Sequence, residues 1–120
     1  MTDYLPFQLL ALARGVVDKP HGGTVAAALL TRQSLEVTLD RYWSHRAPAV
    51  AASPMRTQLL CLATYADDDT AGRAAIAWST LSRACHRHPY ELAPARTEIL
   101  RAADDVERLA HDLAVPKVPL

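Results

Sequence analysis

At 120 residues, half of them hydrophobic and 22% charged, the chain has the size and balance of one globular domain with a core of its own. A formal net charge of zero excludes a polyelectrolyte that holds nucleic acid by bulk charge, so any phosphate contact must come from a local patch. No apolar run approaches the ~20 residues of a membrane span, and the first residues lack a basic start followed by an apolar stretch, so we expect a cytoplasmic chain without a secretion signal.

The punctuation predicts five helices in an all-α, antiparallel bundle filling residues 1–114, with 115–120 as a tail. The first covers Leu5 to Val16, with Leu5, Leu9, Leu12 and Val16 on its inner face. It stops at Asp18-Lys-Pro-His-Gly-Gly23, where a Pro and two Gly cannot continue a helix. Thr24 is the expected cap of a long second helix reaching His45 or Arg46. A linker, Ala47 to Ser53, follows. Ser53-Pro54 is the expected start of the third helix, with Met55, Leu59, Leu62 and Ala66 inward. Asp67-Asp-Asp69 opens the fourth, with Asp69 as N-cap. Ala71, Ala74, Trp78, Leu81 and Cys85 form its stripe, and Trp43 and Trp78 are expected in the core. Pro94 opens the fifth, with Ile99, Ala103, Val106, Ala110 and Leu113 inside and Arg101, Asp104, Asp105, Arg108 and Asp112 outside. Short connections between such helices favour antiparallel neighbours.

The second helix carries an anomaly. Its stripe is Val25, Ala28, Leu35, Leu39 and Tyr42, and at about 100° per residue Arg32 falls inside it, with Glu36 beside it. Either Arg32 pairs with Glu36 four residues on, or it is aimed into a cleft between helices; both require a partner for the guanidinium. Ala26, Leu30 and Val37 form a second weak apolar face on this helix. Ile76 does the same on the fourth, on the side of Arg83 and Arg87, where a homodimer seam would bring two copies of that region together.

Cys61 and Cys85 sit in apolar-periodic segments as small hydrophobes, with no disulfide or zinc spacing. Cys85, His86 and His88 point in different directions on a helix, so no metal or other cofactor is expected.

The strongest chemical signal is Arg83-Ala-Cys-His-Arg-His88-Pro-Tyr90, an R-x4-H-x-Y pattern. A guanidinium can neutralise phosphate oxygens, and a His titrating near neutrality can move a proton on or off a ribose 2′-oxygen. On a continuous helix, residues five apart point about 140° away from each other. Pro89 can free His88 to turn, or Arg83 of one subunit can meet His88 of another across a two-fold axis. Glu91 and Glu98 flank the motif as helix-start acids or as groups orienting His88 or Arg83.

This pattern resembles the HEPN superfamily of small helical bundles, marked by R-x4–6-H near a helix end. It also resembles the R-x4-H-x-Y form of HEPN toxins paired with minimal nucleotidyltransferase antitoxins. The segment from Ala26 to Leu113, with Asp-Arg-Tyr-Trp43 closing its long Leu/Ala-rich helix, looks like an actinobacterial member. The Arg bias, with Lys19 and Lys117 the two lysines among 13 basic residues, agrees with a GC-rich bacterial genome. The resemblance implies a dimeric, metal-independent endoribonuclease in which Arg83 stabilises phosphate and His88 is the acid/base. Arg87, His86 and Arg32 would be RNA- or nucleotide-binding, and Tyr90 would be the residue a nucleotidyltransferase partner adenylylates. Ala84 stands where many members carry a polar residue. The alternative function is a non-enzymatic helical adaptor whose exposed faces bind another protein.

Overall fold

A computed structural model describes residues 4–86 and 92–115. Among these residues there are helices α1 (Leu5–Val16), α2 (Gly23–Arg46), α3 (Pro48–Ala51), α4 (Met55–Tyr65), α5 (Asp68–Cys85) and α6 (Arg96–Asp112), and no strand. The all-α bundle read from the pattern is the observed architecture. Its centre is a four-helix bundle of α1, α2, α5 and α6, with α4 packed on α5 and the short α3 joining α2 to α4. The expected linker after α2 thus contains one helical turn, started by Pro48. None of the described helices is long and apolar enough to cross a membrane.

In α1 the buried residues are Pro6, Leu9, Leu10 and Ala13, whereas Leu5 and Leu12 are exposed, Leu12 by 56%. The inner face is therefore rotated from the one expected. The helix is apolar around most of its circumference, so periodicity alone leaves its rotation open. Arg14 settles it by reaching Asp104 and Glu107 of α6, each at 2.8 Å.

The turn into α2 has His21 at φ 60° and Gly22 at φ 102°. A Cβ on Gly23 would lie 2.5 Å from the Val16 carbonyl oxygen, so the chain can pass under the end of α1 only as glycine. Because of this close approach α2 starts at Gly23, one residue before the expected Thr24 cap, and Gly22 takes the N-cap position.

The buried face of α2 mixes Ala28, Leu35, Leu39 and Trp43 with Thr31, Ser34 and Thr38. Thr31 Oγ1 donates to the Ala27 carbonyl at 2.7 Å and Thr38 Oγ1 to that of Ser34 at 2.9 Å, so both hydroxyls are satisfied within their own helix. Ser34 Oγ instead crosses to α1 and donates to the Pro6 carbonyl at 2.8 Å. Trp43 is fully buried, with Tyr42 and Tyr65 packed edge-on against it.

The remaining caps also differ from expectation. Pro54, not Ser53, is the N-cap of α4. Ser53 Oγ donates back to Ala49 O, while Gln58 Nε2 donates to Ser53 O at 2.8 Å. Asp67, not Asp69, caps α5 by accepting from the Thr70 amide at 2.7 Å, and Asp69 instead pairs with Arg73. The Thr70 hydrogen bonds, backbone first, hold the Asp67 carboxyl below its ordinary value. In α6, Pro94 precedes the first turn and Ala95 is the N-cap. Ile99, Ala103, Val106, Ala110 and Leu113 are all buried, as the helical period requires.

Candidate functional site

The chemistry-bearing residues gather around the C-terminal end of α5. Trp78, Ser82 and His86, spaced by four, run along one face of the helix. Arg32 of α2 lies over that row. Its guanidinium carbon is 4.5 Å from the centre of the Trp78 ring, and Nη1 lies 3.0 Å from Nε2 of His86. Because an arginine nitrogen can only donate, this contact requires the His86 tautomer with its proton on Nδ1. Arg32 Nε and Ser82 Oγ are buried without a hydrogen-bond partner among the described residues.

Arg32 therefore answers the anomaly of α2 in a specific way. It forms no ion pair with Glu36, which is exposed. A stacked aromatic face and a histidine take the place of the carboxylate. Trp78 is half-buried, so the core position expected for it is only half right: one part of the indole packs inward and another supports the cation.

Arg83 lies about 100° further round α5 than Ser82. It is exposed and forms no ion pair with a described residue. Its side chain lines a shallow cleft of about 210 Å³ between the end of α5 and the start of α6, together with Thr80, Pro94, Ala95 and Glu98. Ala95 offers no side-chain acceptor to the first amides of α6, so this wall of the cleft is a helix N-terminus with its positive dipole end uncapped. Glu98 stands in the first turn of α6 and shares the cleft with Arg83 without forming an ion pair with it. A second groove, lined by Ile76, Thr80, Glu98 and Arg101, adjoins the first through Thr80 and Glu98. Ile76 is 65% exposed there.

The structure thus brings Arg32 and His86 together and sets Arg83 apart on the other flank of the same helix. Arg87, His88 and Tyr90 lie outside the described residues. Ala84 is 6% exposed and packs into the core, a physical reason for an apolar residue directly after Arg83. Among the described residues no group of three or more His, Cys, Asp or Glu is placed to hold a metal ion. Sequence reasoning missed Ser82, Thr80 and the pairing of Trp78 with Arg32. The spacing of Trp78, Ser82 and His86 was the available signal for the first. Compared with known protein families, with curated proteins and with solved structures, the chain matches none of them.

Proposed function

We propose that this chain is a HEPN-like helical domain that binds the phosphates of RNA or of a nucleotide through Arg83, and that it cleaves RNA as a metal-independent endoribonuclease. The observation that carries the reading is the state of Arg83. It is exposed, joined to no described carboxylate, and set in a cleft closed by the start of α6. A guanidinium so placed can fork onto phosphate oxygens, and nearby helix amides add to the attraction for an anion. In the reaction, His88 takes the proton from the ribose 2′-oxygen and returns one to the leaving oxygen. Tyr90 is the acceptor for adenylylation by a nucleotidyltransferase antitoxin. The groove from Ile76 toward Arg83 is the seam of a homodimer that sets two such motifs against each other.

The test is cleavage of a mixed RNA pool in EDTA by wild type and by His88→Ala, at a concentration where sedimentation gives a dimer mass. Chelator-insensitive cleavage that vanishes in the variant supports the reading. A monomer that leaves all RNA intact refutes the ribonuclease.

The second reading is a non-enzymatic adaptor, favoured by the outward face of α1. There Leu12 stands out of a shallow apolar depression formed with Ala11, Gly15 and Val16. An inert monomer would make that face the functional one.

A further inference from the structure

We propose that Arg32 and His86 form an oxyanion site separate from the Arg83 cleft, one that takes up a phosphate-type dianion together with one proton. The argument starts from the 3.0 Å contact between Arg32 Nη1 and His86 Nε2. These two nitrogens satisfy each other only while the imidazole is neutral and accepts. Once protonated, both are donors, both groups are cations, and the contact becomes repulsive unless an acceptor joins them. An oxyanion supplies that acceptor, with oxygens placed to receive from both.

Retreat is closed to the arginine. Its guanidinium lies on Trp78, and its Nε is shut off from solvent with no partner among the described residues. Between Trp78 and His86 along the same helix face, Ser82 Oγ is a further buried hydroxyl with no partner among the described residues. Arg32 keeps a partly exposed edge, and His86 at the end of α5 is exposed.

Among the described residues, the surrounding charges do not supply a substitute anion. On α2 the nearest acid along the helix is Glu36, which is exposed and does not pair with Arg32. On α5 the neighbouring groups are the half-buried Cys85 and Arg83, the latter turned to the α6 side. At the start of α6, Glu98 lines the Arg83 cleft and Arg96 pairs with Asp18 at 2.6 Å. On α4 the titratable groups are Arg56, Cys61 and Tyr65, with no carboxylate among them. A dianion on a neutral His86 and a charged Arg32 would leave one negative charge uncompensated; protonating His86 cancels it. By linkage, anion and proton then favour each other's binding equally.

Inorganic sulfate is a suitable probe because its charge is constant across the neutral range. We expect sulfate to shift the NMR signals of the His86 ring and to bind up to about tenfold more tightly for each unit of pH lowered from about 8 to about 6. His86→Gln, whose amide oxygen can still accept from Arg32 but cannot take up a proton, should abolish that pH slope. Arg83→Ala should leave the His86 response in place, so the two sites can fail independently. RNA with a terminal monophosphate that displaces sulfate, where the same RNA without that group does not, identifies a nucleic-acid phosphomonoester as the natural dianion; displacement by inorganic phosphate but not by that RNA identifies a free one. Sulfate binding that ignores pH, His86 signals that do not move, or a slope that survives in His86→Gln would overturn the proposal.

Discussion

Two arginines approach the end of α5 from opposite flanks, and they are held in different ways. Arg32 comes from the buried side of α2, pinned between the Trp78 face and the His86 ring. Arg83 belongs to α5 itself and stands exposed beside the start of α6. The first has given up conformational freedom to the fold, so its removal should register in stability as well as in oxyanion binding. The second contributes little to packing, so its removal should register in binding. The same side chain thus serves recognition alone, or structure and recognition together, according to what surrounds its planar head.

Trp78→Ala should have the largest effect on this contrast. It removes a half-buried indole and the support of the cation together, and urea unfolding should show a loss of about 2 kcal/mol. A double-mutant cycle with Arg32→Ala should give a coupling of about 1 kcal/mol. A coupling near zero would mean that the stacked geometry contributes nothing and would erase the distinction. Arg83→Ala comes next. Its stability should stay within about 0.5 kcal/mol of wild type. RNA affinity should fall, and the slope of log affinity against log salt should lose about one phosphate's worth. A destabilised but fully binding variant would reverse the two roles.

The smallest effect concerns the opposite end of α5. Asp67 caps it, and hydrogen bonds from Thr70 hold its carboxyl below its ordinary value. A lowered folded value means that the cap's stabilisation is complete above the unfolded value and is lost as pH falls through the folded one. Thermal melts of Asp67→Ala should therefore show a lower midpoint than wild type at neutral pH, with the difference closing in strong acid. A difference that persists there would assign the effect to packing rather than to the charged cap.

Legibility in the sequence followed how fully each helix separates its faces. In α6 every expected inner residue is buried, because charged residues crowd the other side and leave one way to dock. In α1 apolar residues lie nearly all round, and its rotation depends on Arg14 meeting acids some 90 residues away. The caps shifted by one or two residues because Gly23 had to pass under α1 and because three consecutive aspartates compete for one position. In the candidate site, Arg32 was visible as a charge on an apolar stripe. Its partner was not, since His86 lies 54 residues on and only the docking of α2 on α5 brings them together.

The hydroxyls on the inner face of α2 bear on how the chain is made. Synthesis delivers α1 and α2 first, well before α5 and α6. The longest helix then carries Thr31, Ser34 and Thr38 beside Leu35, Leu39 and Trp43 on its inner surface, with Ser34 meeting α1 and both threonine hydroxyls bonded within the helix. The three hydroxylated residues interrupt that apolar surface, which therefore offers less to other nascent chains than an unbroken leucine seam would. The strongly apolar face, Ile99 through Leu113, emerges last, when the partners that cover it have already been translated.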